Sequence, residues 1–267
     1  GMIMTDSPIR FPGLFGDWTF TASSKAIDIG HGIYWYGIII ACGLLLAAVF
    51  CMRQRVHYGI SEDDLMDCIL WGIPAGIIGA RTYYVIFYLD RFRDADGAFN
   101  WGKAVAIWDG GLAIYGTVIA VVLLAVIMAK RKGFKLCALT DLMVMGLLIG
   151  QLIGRWGNFM NREAFGSETT IFCRMQLTLK TGELIEVHPT FLYESLWNLV
   201  GLLLLVLVIA RRRRFDGENT LFYFLWYGLG RFWIEGLRTD SLYLFDWTIG
   251  GAPIRVSQAL SAVMVLV

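Results

Sequence analysis

Residues 33–52 read IYWYGIIIACGLLLAAVFCM, an unbroken apolar run without a charged side chain. As a helix rising ~1.5 Å per residue, a run of this length covers the ~30 Å hydrocarbon core of a bilayer. Working outward, further apolar runs fall at 65–89, 112–129, 138–153, 191–210, 221–234 and 256–267. Several are shorter than the ~20 residues of a full crossing, so they extend into their polar flanks or the core is locally thin. The composition agrees: 57% of the 267 residues are hydrophobic and 17% charged, with a mean hydropathy of +0.60. A soluble domain of this length needs more polar surface. The expectation is an all-α polytopic membrane protein, one membrane domain over 1–267 with about seven transmembrane helices.

Basic residues in the short loops set the orientation. Arg53 and Arg55 follow the first run, Lys130-Arg131-Lys132 and Lys135 the third, and Arg211 to Arg214 the fifth. With seven crossings all three groups share one side, which is then cytoplasmic. The N-terminus is expected outside and the C-terminus in the cytoplasm. Gly1 before Met2 reads as a cloning remnant, and the first thirty residues lack the pattern of a cleavable signal peptide. The segment 155–190 is too polar to cross. Its alternating residues 173–179, the turn Lys180-Thr181-Gly182-Glu183 and residues 184–187 predict a hairpin. A small extracytoplasmic α/β cap at 155–190, between spans four and five, is therefore expected. The net charge of +1 and the lack of any nucleic-acid motif give no reason to expect a nucleic-acid partner. The cysteines Cys42, Cys51, Cys68, Cys137 and Cys173 form no CxxC pair and read as packing residues. No His, Cys or carboxylate set has metal-ligand spacing, so neither metal nor organic cofactor is expected.

Ionisable groups near hydrocarbon are expensive and mark functional positions. Residues 154–166, GRWGNFMNREAFG, place Arg155, Asn158 and Asn161 on one helical face. A guanidinium suits a phosphate diester; the alternative is an arginine snorkelling to the interface beside asparagines that bridge helices. Residues 227–238, YGLGRFWIEGLR, align Tyr227, Arg231, Glu235 and Arg238 on one face that should point into the bundle. Arg231 and Glu235 read either as an internal ion pair or as a second anion anchor with a proton acceptor. Two arginines from separate helices facing one cavity would bind a lipid phosphate and stabilise charge developing on it. Residues 108–116, WDGGLAIYG, bring Tyr115 one turn inside the membrane, as a belt residue or a participant. Residues 188–194, HPTFLYE, open span five. There His188 is a minor candidate and Glu194 reads as a dipole or capping partner. The aromatics of Tyr34-Trp35-Tyr36 read as belt or lipid-pocket residues, and Arg81, in an apolar span, requires a partner.

These segments resemble the prolipoprotein diacylglyceryl transferases. Residues 154–166 match the family pattern GRxGNFxNxExxG almost throughout. Residues 188–194 resemble its HPxxLYE segment, 231–238 its RFxxExxR segment, 108–117 its WxGGLxxxGG region, and 35–37 its WYG segment. The resemblance implies seven spans with a small periplasmic cap in the bacterial plasma membrane, phosphatidylglycerol as donor, and the lipobox cysteine of a prelipoprotein signal peptide as acceptor. It carries catalytic roles to Arg155, Arg231 and Glu235. Substrate binding falls to Arg155, Asn158, Arg231, Tyr36 and Gly166. Many members carry a histidine where this chain has Tyr115, and a second glycine where it has Thr117. A neutral phenol of pKa ~10 accepts a proton poorly. Either Tyr115 only positions a group or the thiol is activated otherwise, with Glu163 and Glu235 as possible acceptors. The rival readings are a transporter for a small anion, without the inverted repeat such proteins show, and a non-catalytic lipid-binding scaffold.

Overall fold

The computed structural model describes residues 3–4, 6–16, 18–21, 23–27, 33–107, 114–163, 165–237, 243–249 and 252–255. Two compact units emerge, Gly1–Cys51 with Met143–Val267, and Met52–Leu142.

In the first unit, short strands β1 (Ile9–Arg10) and β2 (Thr19–Phe20) flank the turn of helix α1 (Pro12–Phe15), and β3 (Lys25–Ile27) pairs with β4 (Ile33–Tyr34). Helix α2 (Trp35–Gln54) follows directly. In the second unit α3 (Glu62–Phe87) starts where Ser61 accepts the Asp64 amide and three acidic residues meet the positive helix end. A four-residue helix α4 (Trp101–Ala104) and helix α5 (Ile114–Lys132) follow. Helix α6 (Leu136–Met160) leads to the antiparallel pair β5 (Met175–Thr178) and β6 (Leu184–Val187). Then come α7 (Thr190–Leu204), continued by a π-helical turn over Leu205–Ile209, and α8 (Glu218–Glu235). Strands β7 (Tyr243–Ile249) and β8 (Ala252–Arg255) pair antiparallel.

Among the described residues five helices are long and apolar enough to cross a membrane: Trp35–Tyr58, Glu62–Phe87, Ile114–Lys132, Leu136–Met160 and Thr190–Ile209. They turn leucines, valines and isoleucines outward: Leu45 and Ile78 are each 65% exposed and Leu123 59%. Continuous outward apolar surface along helices of this length suits a lipid surround. Helix α8 covers the expected sixth run, with Glu218, Arg231 and Glu235 lowering its apolar character. The seventh run, 256–267, lies outside the described residues.

The hairpin expected from 173–187 forms, with Met175 opposite Val187 and Thr178 opposite Leu184, and Gly182 at φ 90° in its turn. It is part of a four-stranded sheet, β2-β1-β5-β6, completed by strands of the N-terminal segment. Residues 155–160, counted with the polar segment in the sequence, are instead the last turns of α6. Ile9, Leu177 and Val187 of the sheet are buried in a core with Phe159 and Met160 from the end of α6 and Phe191 from the start of α7. The sheet is thereby fixed to the two helices that carry the 154–166 and 188–194 segments.

Helices α2 and α6 meet along small residues. A side chain at Gly43 would touch Ile153, one at Gly154 would press on Ile40, and one at Gly157 would collide with the Tyr36 ring. In the second unit α3 and α5 approach similarly: a Cβ on Gly79 would lie 2.5 Å from the Gly116 carbonyl oxygen. Thr117 donates its hydroxyl to the Gly76 carbonyl at 3.0 Å, a hydrogen bond that crosses the seam between α5 and α3. The buried Arg81 finds its partners in the backbone, donating to the carbonyls of Lys103, Ala104 and Ala106 at the end of α4, with its guanidinium 4.9 Å from the Phe92 ring centre. A cation at a helix C-terminus meets the negative end of the peptide dipoles.

Candidate functional site

Three helices of the first unit build the polar cluster. From α6 come Gln151, Arg155 and Asn158. Glu194 comes from the first turns of α7, and Tyr223, Tyr227, Arg231 and Glu235 from one face of α8. The i, i+4 spacing on α8 does what the sequence predicts: Tyr223 and Glu235 are buried while Leu221, Phe224 and Phe232 face outward. Two devices hold the helices in register. Trp156 on α6 donates to the Ser195 hydroxyl, which donates to the Leu152 carbonyl at 2.8 Å. Trp197 on α7 and Trp226 on α8 stack at 4.1 Å between ring centres, each indole N–H donating to the other's backbone carbonyl. Gly201 and Gly230 leave the space those indoles fill.

The arginines meet on one carboxylate. Glu194 Oε1 lies 3.1 Å from Arg231 Nη1, and Oε2 lies 3.2 Å from Arg155 Nε. Glu235 Oε2 is 3.4 Å from the same Arg231 nitrogen, and Arg231 Nε donates to the Tyr227 hydroxyl at 3.2 Å. The Glu194 side chain is 7% exposed, those of Arg155 and Arg231 23% and 18%. Buried charges are tolerable only when paired, and here, among the described residues, Arg155 and Arg231 face Glu194 and Glu235. Asn158 extends the cluster. Oriented so that donors meet acceptors, its carbonyl oxygen accepts from Arg155 Nη1 at 3.0 Å and its nitrogen donates to Glu163 Oε1 at 3.2 Å. The space enclosed by Gln151, Arg155, Glu194, Tyr227 and Arg231 is only about 20 Å³, room for about one water.

A groove of about 710 Å³ includes Tyr34, Tyr36, Gly37, Asn161 and Glu163 among its lining. Tyr36 is 40% exposed there and rests against Gly157, one residue from Asn158. Gly166 is required by close approach: its amide donates to the His188 carbonyl at 2.8 Å, and a Cβ would fall 2.5 Å from the Leu237 oxygen. His188 Nδ1 lies 3.0 Å from the Tyr193 hydroxyl, and burial pushes this imidazole below its ordinary 6.5.

The structure thus brings together Arg155, Asn158, Glu163, Arg231 and Glu235, with Tyr36 and Gly166 supporting the same segment. Tyr115 belongs to the second unit, where it is 67% exposed with its ring 6.1 Å from that of Tyr83. Arg238 and the glycines at 110 and 111 lie outside the described residues. Two residues were under-read in the sequence. Glu194, taken there as a dipole or capping partner, is the bridge between both arginines. Arg162 is 3% exposed at φ 53° and donates through Nε to the Ser7 carbonyl at 3.1 Å, tying the N-terminal segment to the end of α6. Its burial beside an asparagine-rich turn leaves no periodic trace in a sequence.

Comparison with known proteins gives the family. Residues 24–267 match the family described as prolipoprotein diacylglyceryl transferase. Three bacterial relatives carry the name phosphatidylglycerol–prolipoprotein diacylglyceryl transferase. One from Finegoldia magna is 41% identical over 89% of this chain and 89% of its own length. One from Listeria monocytogenes is 42% identical over 90% and 85%, and one from Lactobacillus delbrueckii subsp. bulgaricus 40% over 93% and 89%.

Proposed function

The chain belongs to the prolipoprotein diacylglyceryl transferase family, and from that premise we propose how its residues perform the transfer. The protein is a transferase that moves the diacylglyceryl group of phosphatidylglycerol onto a prolipoprotein. We take the acceptor to be the thiol of a lipobox cysteine. Its sulfur attacks the glycerol carbon that bears the phosphate, a C–S bond forms, and the C–O bond breaks with its electrons passing to the phosphate. Glycerol phosphate leaves and the thiol proton passes to a base.

The observation that carries this assignment is the convergence of Arg155 and Arg231, from α6 and α8, on the single carboxylate of Glu194. An anion between them meets planar donors from both sides, and the charge gained by the leaving phosphate is stabilised without reorganisation. Asn158 holds Arg155 from behind, Tyr36 opens the neighbouring groove to the head group, and Gly166 lets residues 165–167 pack against His188. We take Glu163 or Glu235 to be the carboxylate that accepts the proton. In this reading the Tyr115 phenol is not the proton acceptor, and Tyr115→Phe is expected to turn over at near the parent rate; a large loss would instead make the phenol a participant. The membrane domain with a cap between α6 and α7, seven crossings of the plasma membrane, the N-terminus outside and the C-terminus in the cytoplasm complete the proposal. The small-anion transporter finds no support among these relatives.

The test is direct. Purified protein is mixed with phosphatidylglycerol and a lipobox peptide, and the peptide mass is followed. A gain of one diacylglyceryl group that requires the cysteine is the expected result; an unmodified peptide would end this reading.

A further inference from the structure

Arg155 and Arg231 are already neutralised in the structure. Glu194 presents one oxygen to each guanidinium, at 3.2 and 3.1 Å, from a side chain that is 7% exposed. Its Oε2 makes no hydrogen bond despite that burial, which is a costly arrangement for a carboxylate. Glu235 supplies a second counter-charge to Arg231, so among the described residues the two guanidiniums face two carboxylates. The free space is about 20 Å³, room for about one water and far too little for a phosphate beside Glu194. To a pair of guanidiniums a carboxylate and a phosphodiester present the same surface: two oxygens and one negative charge.

We infer that Glu194 is a place-holder for the lipid phosphate. It occupies the anion seat between the arginines when no substrate is bound, and the phosphate of phosphatidylglycerol takes that seat by displacing it. This rests on the transferase reading above. Three consequences follow from the geometry. The arginines stay aligned between turnovers. Glu194 makes an incoming anion compete for the seat. The released glycerol phosphate is in turn pushed out by the returning carboxylate. Glu194 is in this sense a positioning residue that trades binding strength for release.

The experiment uses the full-length protein in nanodiscs of phosphatidylcholine, so that no anionic lipid competes, and measures equilibrium binding of glycerol phosphate. Removing the competing carboxylate raises the fraction of sites open to the anion. Glu194→Gln is therefore expected to bind about tenfold more tightly than the parent. Glu194→Asp, too short to span both guanidiniums, should shift the same way, and decides the matter if the glutamine variant fails to fold. In turnover, glycerol phosphate should inhibit both variants at lower concentration than the parent. A residue that merely braced the helices would weaken binding when altered, so unchanged or weaker binding in both variants overturns the place-holder. If the parent protein itself neither transfers the lipid nor binds glycerol phosphate, the transferase reading falls instead.

Discussion

Arg155 is held at three points: by Glu194 through Nε, by Asn158 through Nη1, and by the helical turn that continues to Met160. A lysine in its place keeps the charge and loses the planar fork. Arg155→Ala is expected to lower kcat on the lipobox peptide by about 10²–10³-fold, the usual loss when one donor to a developing anion is removed. Arg155→Lys should recover only part of it, and membrane insertion of both variants, checked by fractionation, should be unchanged. A variant that kept full turnover would remove Arg155 from the chemistry. His188 makes a separate point. Its folded-state pKa lies below the ordinary 6.5 because burial disfavours the charged ring. Between that lowered value and 6.5 the unfolded chain binds more protons than the folded one, so stability rises with pH. The contribution is complete above 6.5 and is lost as pH falls through the folded value. Melting temperatures of the parent should therefore fall more steeply than those of His188→Gln on going from pH 7 to pH 5, and parallel curves would refute the assignment.

At the scale of elements, close packing depends on residues that have no side chain to show. Gly79 on α3 faces Gly116 and Ala120 on α5. Gly79→Leu has to push the helices apart and should cost about 1–3 kcal/mol, seen as faster thermal inactivation in detergent than for Gly72→Leu, where a Cβ meets nothing within 4 Å. Equal inactivation rates would show the seam to be loose. Much of this level was legible in the sequence, for a physical reason. Apolar runs of bilayer length and the alternation of Met175 and Leu177 with polar neighbours are local patterns that the backbone must satisfy where they stand. Strands β1 and β2 were not legible, because two-residue strands carry no period and exist only by pairing with β5 and each other. Arg81 announced that it needed a partner. That the partners are carbonyls some twenty residues away, at the end of α4, is a tertiary fact no periodicity encodes. Likewise the α8 stripe predicted an inward polar face but not that Glu194 of α7 would sit at its centre.

Over the whole molecule, the hairpin turn at Lys180 and the basic residue Lys135 just before α6 should lie on opposite sides of the membrane. Cysteine placed at Lys180 is expected to react with an impermeant maleimide on intact cells, and cysteine at Lys135 only after the membrane is opened, in a background where the native cysteines are replaced. The reverse pattern would invert the topology. The interlocked indoles of Trp197 and Trp226 bear on traffic through such a molecule. With two flat rings in contact and each latched to the other's backbone, a tail crossing between α7 and α8 at that level has to part the rings and break two hydrogen bonds first.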